Sequence, residues 1–336
     1  MQDLRNKTVL VTGGTGSIGN ELVKQILDQG VLRIIIFSRD ETKHFIVKKR
    51  LADERLETVV GDIRDYGSIK RIFEQFDVDM IYHASAMKHV TMCEHFPLEG
   101  VKTNIIGTQN LMDLANRYNI PKLITISTDK STNPVNVMGA TKFIAERITM
   151  NAGFSCVRFG NVANSRGSVI PTFIDNLLNR KPLHVSDLNV TRFIMRIPDA
   201  VNLVLKASEY AQGGEIFILK MNAFRLEDLI DVILNRIAPK LGISEDIRVN
   251  TMGLVRGEKV HEELISSVES FSTYELNGMY MVLQEDMDIS NYVSAKKAFI
   301  HDYSSKNAKM LSKSDLETII MDYLKNNLIS GGFGHG

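Results

Sequence analysis

A glycine-rich turn near the start of the chain most constrains the fold. Residues 12–19 read Thr-Gly-Gly-Thr-Gly-Ser-Ile-Gly, which contains the spacing G-x-x-G-x-x-G. The turn follows a β-branched run (residues 8–12) and precedes apolar residues at helical spacing. Glycines in such a turn let backbone amides approach a pyrophosphate and let the helix lie close to the strand, so this context predicts a dinucleotide-binding unit. The residues expected to contact the cofactor here are Gly13, Thr15, Gly16, Ser17, Ile18 and Gly19.

Strand and helix patterns alternate from residue 8 to about residue 160, which is typical of a parallel sheet covered by helices on both faces. We therefore expect an α/β fold, with a Rossmann-type doubly wound parallel sheet and a smaller α+β C-terminal substrate lobe. The expected nucleotide-binding domain is 1–165, with a return of the chain at about 192–222. The expected substrate lobe is 166–191 and 223–325. The glycine-rich end, 330–336, is expected to be disordered.

Composition excludes several classes of function. The 336 residues carry 40 Lys+Arg and 40 Asp+Glu, so no excess charge attracts nucleic acid. The two cysteines, Cys93 and Cys156, lack metal-ligand spacing and favour a reducing compartment, and no metal is expected. No apolar run reaches the ~20 residues of a membrane span, and no secretory signal is recognisable. We expect a soluble cytoplasmic protein.

The end of the second predicted strand indicates which dinucleotide binds. It reads Phe-Ser38-Arg39-Asp40, followed by Lys43. An acid at this point holds the ribose 2′-hydroxyl of NAD, whereas cations suit the 2′-phosphate of NADP. Because Asp40 fits a helix N-cap, NADP is expected. The other expected dinucleotide contacts are Asp62 at the adenine edge and Ile63 at the adenine face. The small residues Ala84, Ser85 and Ala86 follow the fourth strand, where the backbone is expected to pass the dinucleotide.

A hydroxyl residue ends the fifth predicted strand, at Thr128, and the next helix opens with Met138-Gly-Ala-Thr-Lys142. Hydride-transfer sites of this architecture usually carry Tyr-x-x-x-Lys at that place. Lys142 is expected to hydrogen-bond the nicotinamide ribose. Met138 has only a weak thioether acceptor, so it cannot serve as a general base.

At this point the sequence resembles extended short-chain dehydrogenase/reductases and, more closely, the UDP-N-acetylglucosamine 4,6-dehydratases of bacterial and archaeal glycan synthesis. The segments that carry the resemblance are 37–40 (Phe-Ser-Arg-Asp), 86–90 (Ala-Met-Lys-His-Val), 127–130 (Ser-Thr-Asp-Lys), 133–142, 158–162 (Arg-Phe-Gly-Asn-Val), 167–171, 191–193 (Thr-Arg-Phe) and 256–259 (Arg-Gly-Glu-Lys). They span about residues 5 to 285. The resemblance implies a short soluble form of the methionine type, which retains the configuration at sugar carbon 5.

The resemblance implies a reaction without net redox change. Oxidation at sugar carbon 4 by tightly bound NADP⁺ makes the carbon-5 hydrogen acidic, water leaves across carbons 5 and 6, and the hydride returns to carbon 6. Asp129 is implied as the acid and Lys130 as the base. An ionised Asp and a protonated Lys hold as many protons as a neutral pair, and a site that excludes water favours the neutral pair. Thr128, Asp129 and Lys130 each stay open as the acceptor of the carbon-4 hydroxyl proton.

Substrate contacts are implied mainly in the second lobe. Arginine suits a diphosphate because of its planar donor fork. The implied residues are Lys88 in the sugar pocket, Asn161, Arg166, Arg192 and Arg256 at the nucleotide diphosphate, and Glu258 at a nucleotide ribose. The sequence leaves open a GDP-linked sugar as the substrate. A nucleotide-sugar 4-epimerase and a non-catalytic NADP sensor also remain as alternatives. A homo-oligomer, dimeric or larger, is expected because helices flanking the fourth and fifth strands commonly dimerise in this fold.

Overall fold

The computed structural model describes residues 4–163, 165, 167–285 and 287–328. These residues divide into two compact units. The first contains the chain up to Phe159, Pro198–Lys220 and Leu264–Asp302. The second contains Gly160–Ile197, Met221–Glu263 and the chain from Tyr303 onward. The tail 330–336, expected to be disordered, lies outside the described residues.

The chain begins with the strand–helix alternation that its sequence indicates. The strands up to residue 163 are β1 (Thr8–Thr12), β2 (Arg33–Ser38), β3 (Leu56–Val60), β4 (Met80–His83), β5 (Leu123–Thr128), β6 (Ser155–Phe159) and β7 (Asn161–Ala163). The helices are α1 (Ser17–Asp28), α2 (Glu41–Leu51), α3 (Tyr66–Gln75), α4 (Val90–His95), α5 (Pro97–Val101), α6 (Gly107–Arg117) and α7 (Val137–Asn151). A π-helical turn, Lys102–Ile106, joins α5 to α6, and a 3₁₀ turn follows β5 at Asp129–Ser131.

The remaining elements lie between residues 169 and 328. In chain order they are α8 (Val169–Leu178), β8 (Leu183–Val185), β9 (Thr191–Arg196), α9 (Ile197–Tyr210), β10 (Ile216–Leu219), β11 (Asn222–Arg225), α10 (Leu226–Val232), a π-helical turn (Ile233–Ile237), α11 (Ala238–Lys240), β12 (Val249–Thr251), β13 (Glu263–Ile265), α12 (Ser267–Ser270), β14 (Thr273–Leu276), β15 (Met279–Val282), a 3₁₀ turn (Ile289–Asn291), β16 (Lys296–Lys297), β17 (Tyr303–Ser304) and α13 (Lys313–Leu328).

One large sheet organises the first unit. Its 10 strands have the order β16-β14-β15-β10-β6-β5-β4-β1-β2-β3. The seven strands from β10 to β3 pair in parallel, so the predicted Rossmann-type α/β fold is confirmed. β14, β15 and β16 extend the sheet by antiparallel pairing. In a parallel sheet the carboxyl ends of the strands lie at one edge, and β1, β2, β4 and β5 therefore present their last residues there together.

The two compact units differ from the expected domains mainly in two segments. Residues 264–302, which the sequence assigned to the second lobe, pack in the first unit because β14 and β15 hydrogen-bond into its sheet. Residues 192–197, which were expected to return to the first domain, pack in the second unit because β9 pairs with β7 and β11. The hairpin of β14 and β15 has no βα rhythm, and that is why the alternation in the sequence did not reveal it.

Each unit buries an apolar core of its own. In the first unit, Leu10, Ile35 and Ile81 from neighbouring strands pack with side chains of α3 and α6. In the second unit, α8, α10 and α13 enclose another cluster, which includes Phe173, Leu229 and Leu316. In the first unit, α3 and α6 thus cover strands of the large sheet that are apolar throughout, as a buried parallel sheet requires.

Candidate active site

The turn between β1 and α1 requires glycine for steric reasons. Gly13 has φ of +69°, and a Cβ placed there would lie 2.8 Å from the backbone of Ala84 and Ser85. Gly16 precedes α1 without a side-chain cap, and the first turn of α1 contains no acidic residue. The amides at this helix end therefore remain available to an anionic group, and the close backbone approach fits a dinucleotide. Ser17 and Ile18, the first residues of α1, are partly exposed beside it.

A chain of hydrogen bonds joins this turn to the end of β2. The Oγ1 atom of Thr15 lies 2.9 Å from Oγ of Ser38, which in turn lies 2.9 Å from Nε2 of His44. His44 is buried, and burial lowers the pKa of its imidazole. His44 holds the Ser38 hydroxyl in place, a role that its position in α2 did not reveal.

The two cationic side chains that follow β2, Arg39 and Lys43, differ in their surroundings. Lys43 forms an ion pair with Asp40, which also caps α2 by accepting a hydrogen bond from the Lys43 amide at 3.0 Å. The hydrogen bond from the Lys43 side chain lowers the pKa of Asp40. Arg39 is exposed and has no hydrogen bond or ion pair with another residue of the described ranges. Of the two predicted cations, Arg39 is therefore the one whose guanidinium is available to a phosphate.

The two residues expected at the adenine differ in accessibility. Arg64 donates to both carboxylate oxygens of Asp62, with its Nη2 2.6 Å from Oδ2. This hydrogen bonding lowers the pKa of Asp62. Ile63 is buried, and its side chain packs against Gly107, where an added Cβ would lie 2.8 Å away. The side chain of Ile63 thus belongs to the core and has little surface for a ring, which the pattern of the sequence did not show.

The segment after β4 is held in place on both sides. The amide of Ala84 donates to the carbonyl of Thr12 at 3.0 Å, and Ser85 and Ala86 follow it as partly exposed and exposed residues. Asn104, in the π-helical turn, accepts from the amide of Met87 at 2.7 Å and donates to its carbonyl at 3.0 Å. Lys88, beyond it, is exposed. The sequence did not single out Asn104, since it lies inside a long helical pattern.

His83 ends β4 and is fully buried. Its Nδ1 lies 2.7 Å from Oγ1 of Thr12, and its Nε2 lies 3.0 Å from Oγ1 of Thr108. Burial, with a contribution from the positive charge of Lys142, lowers the pKa of His83 to about 3. The ring is therefore neutral at physiological pH and ties β4 to β1 and α6.

The end of β5 brings three predicted residues together. Asp129 is fully buried, and its Oδ1 accepts from Oγ1 of Thr128 at 2.9 Å and from Nζ of Lys130 at 3.0 Å. The side chain of Lys130 is 18% exposed. A buried carboxylate in contact with one hydroxyl and one amine is an arrangement that can exchange protons between them.

Helix α7 packs against this turn at its first residues. A Cβ on Gly139 would fall inside the contact distance of the Lys130 carbonyl oxygen, so only glycine allows the approach. Met138 is buried in the same turn of α7. Lys142, one turn later, is also buried and donates from Nζ to the carbonyl of Ile126 at 2.6 Å. Burial lowers the pKa of Lys142.

The second unit contains the residues expected to bind substrate. Nη2 of Arg192 lies 2.7 Å from Oε1 of Glu258, and Ser186 donates to the same oxygen at 3.0 Å. Arg256 is exposed and has no ion pair with another described residue. Asn161 begins β7 and is partly exposed. Arg166, also expected at the diphosphate, lies outside the described residues.

Possible metal sites, membrane-spanning helices and thiols also bear on the class of function. Among the described residues no cluster of three or more His, Cys, Asp or Glu side chains could hold a metal ion. No helix in the same ranges combines the length and apolar character needed to cross a bilayer. Cys93 and Cys156 are buried, free thiols.

Comparison with known proteins identifies relatives along nearly the whole chain. An uncharacterized membrane protein of Methanocaldococcus jannaschii is 45% identical over 96% of this chain and 98% of its own length. The UDP-glucose 4-epimerase of Rickettsia bellii is 35% identical over the same shares of the two chains. The crystal structure of Pen from Bacillus thuringiensis superposes with a TM-score of 0.88 at 35% identity, covering 95% of this chain and 98% of that one.

More distant structures share the fold. DesIV of Streptomyces venezuelae, a dTDP-glucose 4,6-dehydratase crystallised with NAD, gives a TM-score of 0.70 at 20% identity over 96% of this chain and 98% of its own. The sequence model of the family described as "Polysaccharide biosynthesis protein" matches residues 9–284. The chain therefore belongs to the polysaccharide biosynthesis protein family and has the Rossmann-type fold of the nucleotide-sugar epimerases and dehydratases.

Proposed function

We propose that the protein is an NADP-dependent nucleotide-sugar 4,6-dehydratase that converts UDP-N-acetylglucosamine to UDP-4-keto-6-deoxy-N-acetylglucosamine. The observation that carries the proposal is the array at the end of β5, where the buried Asp129 accepts hydrogen bonds from both Thr128 and Lys130. Hydride transfer alone needs one proton acceptor. Elimination of water also needs an acid and a base next to carbons 5 and 6.

The glycine turn, the Ser38 corner and Arg39 are suited to NADP. Bound there, the nicotinamide would take a hydride from carbon 4 and supply it to carbon 6. Lys142 would donate to the ribose that carries this ring, since its buried amine already lies beside the end of β5. Arg39 would pair with the 2′-phosphate through charge-assisted hydrogen bonds.

The hydrogen bond from Thr128 to Asp129 favours one route for the carbon-4 hydroxyl proton. A hydroxyl donates a single hydrogen, and that of Thr128 is directed at Oδ1 of Asp129. Thr128 can therefore accept the proton of the sugar while passing its own to Asp129. The protonated Asp129 would then give this proton to the leaving carbon-6 hydroxyl, which departs as water.

Lys130 would carry the second proton. As a neutral amine it would remove the hydrogen from carbon 5 and return it to carbon 5 after carbon 6 is reduced. Summed over the cycle, the carbon-4 proton leaves with the carbon-6 hydroxyl and the carbon-5 site recovers a proton, so the protons balance. Protonation of Asp129 removes the ion-pair partner that stabilises the charged form of Lys130, so Lys130 would release one proton to solvent, to which its side chain is 18% exposed. It would take a proton back from solvent when Asp129 is ionised again at the end of the cycle, so this proton also balances.

The second unit would supply the groups for the nucleotide. Arg256 has no ion pair with another described residue, and this supports a role at the diphosphate. Arg192 already pairs with Glu258, so these two would act together, with the carboxylate holding the guanidinium in place. A GDP-linked sugar remains an outcome of the assay, because a diphosphate site does not read the base.

We also propose a cytoplasmic homo-oligomer. Large apolar side chains lie exposed on α4, α5 and the π-helical turn, among them Met92, Phe96, Leu98 and Ile106. Exposed apolar groups concentrated on adjacent helices are typical of a subunit contact. Light scattering of the purified protein tests this, and a monomer at micromolar concentration would contradict it.

A nucleotide-sugar 4-epimerase is the second candidate, since the relatives from Rickettsia bear the name UDP-glucose 4-epimerase. The test is incubation with UDP-N-acetylglucosamine, UDP-glucose and GDP-mannose, without added NADPH, followed by mass spectrometry. A product lighter by the mass of one water supports dehydration. A product of unchanged mass with altered carbon-4 configuration would establish the epimerase and overturn the dehydratase.

Variants test the assignment of the acid and the base. Lys130→Ala and Asp129→Asn should each reduce the rate of water loss about a hundred- to ten-thousandfold, the usual contribution of general acid–base catalysis. The matched control is Lys240→Ala, because Lys240 is an exposed lysine that forms a surface ion pair with Glu317. Full activity of Lys130→Ala would rule out the proposed base.

A further inference from the structure

Beneath the turn that carries Asp129 and Lys130, one buried carboxylate gathers several donors. Oε1 of Glu146, on α7, accepts from Oγ of Ser127 at 2.5 Å and from Oγ of Ser131 at 2.7 Å. Ser131 also lies 2.6 Å from the carbonyl oxygen of Thr128. Ser127 immediately precedes the three-residue array and Ser131 immediately follows it. Glu146 thus holds both ends of the segment in which the acid and base stand.

Glu146 is itself fixed from the opposite side. Arg158, fully buried on β6, donates from Nε to Oε1 at 3.0 Å and from Nη2 to Oε2 at 2.7 Å. The same guanidinium binds both carboxylate oxygens of Glu269, at 2.9 and 3.0 Å, and the carbonyl of Leu264 at 2.9 Å. Burial opposes the charge of Arg158, but the two carboxylates outweigh it and raise the pKa of this guanidinium.

Stability alone does not account for this cluster. Removing charged groups from water costs several kcal/mol for each ion, and well-packed apolar side chains of similar volume are often as stable as a buried ion pair. What an apolar cluster lacks is direction, because hydrogen bonds to Glu146 hold the two serine hydroxyls at defined points. A displacement of about 1 Å at a reacting group costs about a hundredfold in rate.

We propose that Glu146, held by Arg158, is a positioning residue that fixes the Ser127–Ser131 segment and so sets the placement of Asp129 and Lys130 against the sugar. The inference rests on the dehydratase function proposed above and extends it to residues that do not touch substrate. Its sharpest probe is Ser131, because Ser131→Ala removes one bond between Glu146 and the turn while Ser127 and Arg158 still pair with Glu146.

The control is Ser155→Ala. Ser155 is also a buried serine, and it donates to a buried carboxylate oxygen of Glu215 at 2.9 Å, but it lies at the opposite end of its strand pair from the turn. Both substitutions remove a buried hydroxyl that donates to a carboxylate, and Ser131→Ala also removes the contact with the Thr128 carbonyl in the same turn. A difference between them in catalysis therefore reports on the contacts of the hydroxyl at the turn and not on the general loss of a buried serine hydrogen bond.

The experiment measures kcat and KM for water loss, their pH profile, deuterium uptake at carbon 5 in deuterated water, and the melting temperature of the two variants. We expect Ser131→Ala to lower kcat and carbon-5 exchange together by ten- to a hundredfold and to shift the pH profile of kcat. KM and melting temperature should stay within the range of Ser155→Ala. Glu146→Gln should show the same pattern more strongly, and its result is interpreted only where its melting temperature shows a folded protein.

The outcomes separate this inference from the function on which it rests. A wild-type enzyme that removes no water would overturn the proposed function, and with it the positioning role at an acid–base turn. A wild-type enzyme that removes water, with Ser131→Ala equal to Ser155→Ala in kcat and pH profile, would overturn the positioning role alone. Equal losses in kcat and melting temperature for both variants would show a purely structural cluster.

Discussion

Helix α7 can approach the turn Asp129–Ser131, which carries the proposed acid and base, only because Gly139 has no side chain. A Cβ added there meets the Lys130 carbonyl oxygen at less than any real contact distance, with the carbonyl carbon at 3.1 Å and Oδ1 of Asn136 at 3.2 Å. Gly139→Ala should therefore push the helix and the turn apart. Both neighbouring surfaces are backbone or helix cap, which cannot move aside as a flexible side chain would.

The magnitude follows from comparison with Gly100→Ala. Gly100 is also a buried helical glycine, but its added Cβ would have its nearest neighbour, Sγ of Cys93, at 3.6 Å, an ordinary contact. Each substitution gains helix propensity, up to ~1 kcal/mol relative to glycine. That gain cancels in the difference between the two variants, which leaves the cost of overpacking, about 1–3 kcal/mol. In a domain of about 150–250 residues, 1 kcal/mol shifts the melting temperature by about 2–4 °C. The overpacking cost therefore corresponds to a melting temperature about 2–12 °C lower for Gly139→Ala than for Gly100→Ala.

The assay combines thermal melting with the rate of water loss. Because the clash falls on the carbonyl of Lys130, Gly139→Ala should also reduce kcat by about ten- to a hundredfold, the effect expected of a displacement near 1 Å. Gly100→Ala should keep the wild-type rate. If Gly139→Ala matches Gly100→Ala in both melting temperature and rate, the packing of α7 on the turn does not hold the base in place.

Three further outcomes are expected. Arg39→Asp should weaken NADP binding ten- to a hundredfold or more, since a charge-assisted hydrogen bond contributes about 1.5–3 kcal/mol. NAD binding should stay equal or improve, and equal losses of affinity for both dinucleotides in calorimetric titrations would contradict this prediction. The pKa of His83 is about 3 in the folded protein, whereas the unfolded chain binds this proton near pH 6.5. The free energy of unfolding should therefore fall by up to about 1.4 kcal/mol per pH unit as the pH drops from 6.5 to 3. His83→Gln should reduce this dependence of the unfolding free energy on pH, measured by denaturation curves, and an unchanged dependence would refute the argument. Met138→Ala should keep activity within about tenfold because no proton passes through a thioether, whereas Lys142→Met should abolish most of it; a dead Met138→Ala with an unchanged melting temperature would contradict that view.

The sequence predicted the fold well where local pattern determines it. Apolar strands and amphipathic helices alternate up to residue 160, and this alternation predicted the doubly wound parallel sheet that the structure shows. β14 and β15 were missed because an antiparallel hairpin joins the sheet through contacts distant in sequence. Residues 97–118 have a helical pattern, but this pattern does not reveal the π-helical turn inside them, where Asn104 reaches the backbone of Met87.

In the candidate site, too, the sequence predicted only the residues that belong to a local motif. The residues that we propose to contact a ligand directly occur in short motifs, and these include the glycine turn and Thr128 to Lys130. Residues that hold those motifs in place carry no motif. Arg158 offered one signal, since a charged residue stands inside an apolar strand, and Glu146 another, since it lies on the buried face of α7. Pairing the two requires knowledge of how α7 packs against β6, and a single sequence does not contain it.

The amine of Lys130 has an isotopic consequence that separates it from any carboxylate base. A neutral amine in deuterated water that removes the carbon-5 hydrogen becomes an ammonium with one hydrogen and two deuterons, which rotation makes equivalent. Even without exchange with solvent, only about a third of the transferred hydrogen would return to carbon 5 before any isotope effect. A carboxylate base shielded from solvent would instead return nearly all of it. Because the Lys130 side chain is 18% exposed, exchange should lower the returned fraction further, and proton NMR of the fresh product measures it directly together with the configuration at carbon 5. A product that keeps nearly all of the original hydrogen, more than an isotope effect in favour of hydrogen can explain, would exclude Lys130 as the group that carries this proton.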